Sequence, residues 1–120
     1  MTLVDTNVLL DLVTDDPVSA DWSIQQLELA SVSGPLCIND VVHAELSVRY
    51  ERIEALDAFV DQAGLKLNPF PRAALFLAGK ALPDFFIVAH AAIQNLPLLT
   101  RDVARYQSYF PTVTLISPEA

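Results

Sequence analysis

Short apolar runs alternating with helical stretches predict an α/β domain: a central, mainly parallel sheet with helices on both faces. The strand-like runs are Leu3-Val4, Leu36-Cys37-Ile38, Leu65-Lys66-Leu67, Leu98-Leu99 and residues 113–116, each separated from the next by residues of helical spacing or composition. A 52% hydrophobic composition with a mean hydropathy of +0.37 supplies one core and excludes disorder. A length of 120 residues suits one domain, and no repeat, linker or low-complexity tract divides residues 1–120.

Thr2-Leu3-Val4-Asp5 reads as a strand closed by a carboxylate, and a helix starts over residues 7–13. Asp16-Pro17 is a helix opening, a capping acid with proline at the first helical position. Ala20, Ile24 and Leu27 follow at helical spacing, and Gly34-Pro35 ends that helix. Leu36-Cys37-Ile38 is a second strand, stopped by Asn39-Asp40. Residues 41–62 carry one long helical pattern, closed by Gly64. Leu65 to Leu67 is a weak strand before Pro69 and Pro71. Residues 73–81 are helical in composition, and a helix over residues 84–95 is apolar nearly all round, so it is buried on most sides. A strand over 98–100, a short helix over 103–110 and a strand over 113–116 complete the order.

Fifteen acids against seven bases give a net charge of −8. That balance argues against a free-standing nucleic-acid binder, which carries a basic footprint. It suits a chain that concentrates divalent cations or attracts a basic protein partner. The most apolar stretch, residues 85–93, is too short to span a bilayer. Asp5 interrupts the first apolar run, so no secretory signal is read, and the single Cys37 has no internal disulfide partner. A reducing cytoplasm is the expected location.

In a doubly wound sheet, ligands bind where strands end and helices begin. Asp5, Asp84 and Asp102 fall at such junctions, in Asp5-Thr6-Asn7, Leu82-Pro83-Asp84 and Thr100-Arg101-Asp102. Each alone reads equally as a helix cap; caps do not explain three acids on one sheet edge. Glu45 has Val41, Val42 and Val48 as helical neighbours, which places a charge in an apolar stripe. It either points in towards the strand ends or pairs with Arg49 one turn on. Carboxylates gathered in one pocket repel by about 4 kcal/mol per pair at 4 Å and an effective dielectric of 20. Such a pocket calls for bound cations, and oxygen-only ligands suit Mg²⁺ or Mn²⁺ over zinc. His43 lies two residues from Glu45, on another side of the helix, and His90 reads as a hydrogen-bonded histidine. On this repulsion, Asp5→Asn is expected to leave the metal-free protein as stable or more so.

These motifs resemble the PIN-domain ribonucleases, specifically the VapC-type toxins of bacterial toxin–antitoxin pairs. The matching segments are Leu3-Val4-Asp5-Thr6-Asn7-Val8-Leu9-Leu10-Asp11, His43-Ala44-Glu45-Leu46, Leu82-Pro83-Asp84-Phe85-Phe86-Ile87-Val88-Ala89-His90-Ala91 and Leu98-Leu99-Thr100-Arg101-Asp102. Each is weak alone; their order and spacing are specific. The resemblance implies a single Rossmann-like PIN domain over 1–120, with Asp5, Glu45, Asp84 and Asp102 as the catalytic and metal-binding acids. Asp5 and Asp84 would be the principal ligands of one or two Mg²⁺ or Mn²⁺ ions, with Thr6 and Thr100 supporting them. It implies hydrolysis of RNA phosphodiesters, neutralisation by a cognate antitoxin, and a homodimer. One departure stands out: only Ala81, Leu82 and Pro83 separate Lys80 from Asp84, where relatives commonly carry a longer, often basic segment.

Two other Mg²⁺-dependent α/β classes fit less well. A haloacid-dehalogenase-like phosphatase wants a second Asp at position 7, where Asn7 stands. A receiver domain wants a late strand-end lysine, where Thr100-Arg101-Asp102 stands. A catalytically weak PIN-fold binding module, acting through its protein complex, is the remaining alternative. Arg101 and Arg105, four apart, are candidate contacts for RNA phosphate, with salt bridging on a solvated helix as the other reading.

Overall fold

The computed structural model describes residues 1–14, 16–79, 86–102 and 113–116. Along them run β1 (Thr2–Val4), α1 (Thr6–Thr14), α2 (Ala20–Ser33), β2 (Leu36–Ile38), α3 (Asp40–Ser47) and α4 (Ile53–Gln62). There follow β3 (Leu65–Leu67), α5 (Arg72–Gly79), α6 (Phe86–Gln94), β4 (Leu98–Leu99) and β5 (Leu115–Ile116). The strands pair in parallel throughout, in the order β3-β2-β1-β4-β5.

Parallel strands need crossovers, and the helices between them supply these. The short apolar runs become the central strands because both sides of them are covered. Every residue of β1, β2 and β4 is buried, whereas β3 and β5 at the edges are partly open. Leu3, Val4, Ile38, Leu98 and Leu99 join Val8, Leu9, Val42, Leu46 and Leu56 from the helices in one core. Cys37 is fully buried in it, and desolvation pushes its thiol pKa up. The chain winds one way from β1 through β2 to β3, and β4 and β5 lie on the other side. The adjacent carboxyl ends of β1 and β4 therefore form the switch point of the sheet.

The long helix expected over residues 41–62 is two helices, with a turn at residues 48–52. A straight helix of that length would run about 33 Å, nearly the longest dimension of the molecule, 34 Å. Folding it in two buries both Leu46 and Leu56 and returns the chain to β3 beside β2. Asp16 caps a turn ahead of α2: its Oδ1 accepts the amides of Val18 and Ser19 at 2.8 and 3.0 Å, which lowers its pKa. Helix proper begins at Ala20. Gly64, at φ 69°, takes the left-handed conformation that ends α4. Asp84 and the helix expected over 103–110 lie outside the described residues, as do Lys80 and Arg105. Among the described residues no helix is long and apolar enough to cross a membrane.

Candidate acidic site at the strand ends

Asp5 leaves β1 at the switch point and is 3% exposed. Its backbone amide still belongs to the sheet, donating to Leu99 O at 2.9 Å. The side chain then meets the start of α1: Oδ1 accepts the amide of Thr6 at 2.7 Å. Oδ2 accepts the hydroxyl of Thr100 at 2.7 Å, which reaches across from the end of β4. A buried carboxylate with such donors keeps its charge at less cost than a bare one.

Thr6 and Thr100 tie the other acids to Asp5. The Thr6 hydroxyl donates to Glu45 Oε1 at 3.0 Å, so Glu45 on α3 faces the strand ends. No ion pair joins Glu45 to Arg49 among the described residues. The apolar stripe expected around Glu45 is only half formed, because Val42 is buried while Val48 is 84% exposed. Thr100, fully buried, accepts the Asp102 amide at 3.0 Å through its hydroxyl oxygen. Asn7 occupies the middle. Its Nδ2 lies 3.4 Å from Asp5 Oδ2, 3.3 Å from Thr100 Oγ1 and 3.5 Å from Asp102 Oδ2. These are long contacts, a shared amide among three oxygens more than three separate strong bonds. The sequence carries no signal for this role beyond Asn7 standing two residues after Asp5.

The structure thus links Asp5, Glu45 and Asp102 through Thr6, Asn7 and Thr100 without drawing the three carboxylates into one cluster; Asp84 and Arg105 lie outside the described residues. Of the two readings of Arg101, phosphate contact and salt bridge, the geometry shows an ion pair. Its Nη2 donates to Asp11 Oδ1 at 2.8 Å, an acid that is itself 2% exposed. Asp11 Oδ2 accepts the hydroxyl of buried Ser23 at 2.7 Å. An acid inside Leu9-Leu10-Asp11-Leu12-Val13 is the signal that could have revealed this pair, because a charge there needs a partner.

Among the described residues, the polar groups around Asp5 are carboxylates, hydroxyls and the Asn7 amide. That fits a hard divalent cation such as Mg²⁺ or Mn²⁺. The described residues do not complete such a site: no group of three His, Cys, Asp or Glu among them converges to hold a metal ion. The histidines are occupied elsewhere. His43 Nε2 lies 3.7 Å from Asp57 Oδ1. His90 is fully buried, with Nδ1 3.1 Å from Asn39 Nδ2. Asn39 Oδ1 caps α3 by accepting the Val42 amide at 2.9 Å, so its amide group is the donor to His90.

The fold is similar to that of solved toxin–antitoxin proteins. A chain of VapBC2 from Rickettsia felis, solved bound to a DNA fragment from their promoter, matches with a TM-score of 0.74 and 20% identity, covering 97% of each chain. A toxin–antitoxin complex from Klebsiella pneumoniae matches with a TM-score of 0.70 and 21% identity, covering 98% of each chain. VapBC-1 from nontypeable Haemophilus influenzae matches with a TM-score of 0.70 and 17% identity, covering 97% of this chain and 96% of that one. No curated protein matches the sequence. The family model described as PIN domain matches residues 2–107. With the parallel sheet and the acids at its switch point, that match over most of the length settles the family: the chain belongs to the PIN domain family.

Proposed function

We propose that this protein is a VapC-type toxin, a metal-dependent endoribonuclease that hydrolyses RNA phosphodiesters and is held inactive by a cognate antitoxin. The observation that carries the reading is the hydrogen-bonded linkage of Asp5, Glu45 and Asp102 through Thr6, Asn7 and Thr100 at the β1/β4 switch point. Asp5, Glu45 and Asp102, joined by Asp84, would hold one or two Mg²⁺ or Mn²⁺ ions. Such ions lower the pKa of bound water and neutralise charge on the leaving oxygen. The chain's own part is positional. Thr6 and Thr100 fix both oxygens of Asp5, Thr6 orients Glu45, and Asn7 spaces Asp5 from Asp102. The likeness to toxin–antitoxin complexes and the net charge of −8 support a basic antitoxin as partner. Exposed Leu75 and Phe76 on α5 offer apolar surface for a homodimer in the cytoplasm.

The test is cleavage of tRNA and ribosomal RNA fragments by purified, antitoxin-free protein with Mg²⁺ or Mn²⁺, beside EDTA and Asp5→Asn controls. Cleavage lost in both controls is the expected result. Metal binding without cleavage would favour the binding-module reading. Absence of metal binding would return the aspartates to capping roles.

A further inference from the structure

We propose that Arg101, clamped to Asp11, is a positioning residue that sets where Asp102 stands in the acidic site; this rests on the nuclease reading above. Asp102 belongs to the segment that leaves β4, not to a regular element, so its place depends on what holds that segment. Arg101 holds it at two points on α1. Its amide donates to Asn7 Oδ1 at 3.4 Å, and its guanidinium donates to Asp11 Oδ1 at 2.8 Å. Asn7 and Asp11 are four apart and share one face of the helix. The 2.8 Å guanidinium bond is the strong anchor and the amide contact a long one; both lay the segment along one turn of α1.

The second anchor is rigid. Asp11 is 2% exposed, and its other oxygen accepts the hydroxyl of Ser23, which is fully buried on α2. The clamp thus ties the β4 exit to two helices. A surface ion pair contributes little, but breaking a pair with a buried member strands a charge. Asn7 is common to both systems: Oδ1 takes the Arg101 amide while Nδ2 faces Asp5 and Asp102. A shift of Arg101 therefore reaches the carboxylates through one side chain.

The first readout needs neither metal nor RNA. In the metal-free protein, exchange of the Asp102 amide, which donates to Thr100 Oγ1, is expected to quicken at least tenfold in Arg101→Met, with Leu99 unchanged. Arg101→Lys, which keeps the charge, should recover part of the protection and serves if the methionine variant folds poorly. The second readout is turnover. Arg101→Met should lower kcat about tenfold at unchanged KM, and should change kcat less than twofold in an Asp102→Asn background. Unchanged exchange at Asp102 would overturn the proposal. So would a raised KM with a shallower salt dependence at constant kcat, which marks a phosphate contact. A wild-type protein that cleaves no RNA would sink the nuclease reading alone, and the exchange result would still decide the clamp.

Discussion

Asp5 takes donors from Thr6, Thr100 and Asn7, and this changes what its substitution should do. Repulsion among bare carboxylates would make Asp5→Asn neutral or stabilising. With donors on both oxygens, the new amide group instead meets donors, and hydrogen bonds to a charged acceptor contribute about 1.5–3 kcal/mol each. Asp5→Asn is therefore expected to lower metal-free stability by about 1–2 kcal/mol, read as a drop of roughly 4–8 °C in the melting temperature in EDTA. An unchanged or raised melting temperature would restore the repulsion argument. Arg101 is similar: two bases four apart after a strand read equally as a phosphate grip or as salt-bridging partners, and buried Asp11 draws Arg101 into an ion pair. The pairing partner lies ninety positions away, and no local spacing rule reaches that far.

At the scale of elements, the central strands were legible because short apolar runs of two or three residues end abruptly in Asp5, Asn39 and Thr100. The turn between α3 and α4 was not. Residues 48–52 contain neither glycine nor proline, and the break follows from the size of the sheet the helices must cover. The α3 cap was half legible: Asn39 ends the β2 triplet, but its hold on His90 depends on tertiary packing. Because Asn39 satisfies both the Val42 amide and His90 Nδ1, Asn39→Ala should cost more than an ordinary cap. About 1 kcal/mol goes with the cap and a similar amount with the buried imidazole nitrogen left unpaired. The check is a urea midpoint that falls at an unchanged denaturant slope, which marks lost stability and not a changed denatured state.

For the whole molecule, His90 makes stability depend on pH. Burial lowers its pKa from the ordinary 6.5, opposed by Gln94 and by Asp40 nearby. Asn39 donates to Nδ1, so the folded form keeps a neutral ring. The unfolded chain takes up a proton near pH 6.5 while the folded chain does not. His90's contribution is thus fully present above that pH and is lost on acidification, by at most about 1.4 kcal/mol per pH unit, until the folded pKa is reached. Asn39→Asp keeps the cap acceptor but offers Nδ1 a carboxylate, so the imidazole resonance should titrate at higher pH and the acid loss should shrink. An NMR titration of His90 that does not move upward in this variant would refute the assigned tautomer. The sheet order has a consequence in time as well as in space. β1 lies at the centre and pairs with β4 near the other end of the chain, so Asp5 meets Thr100 and Asp102 only after the ribosome has released the β4 exit. A chain still being synthesised therefore carries its first acid without the partners that complete the site. On the nuclease reading proposed above, the nascent chain would stay inactive towards the RNAs around it until the β4 exit has emerged.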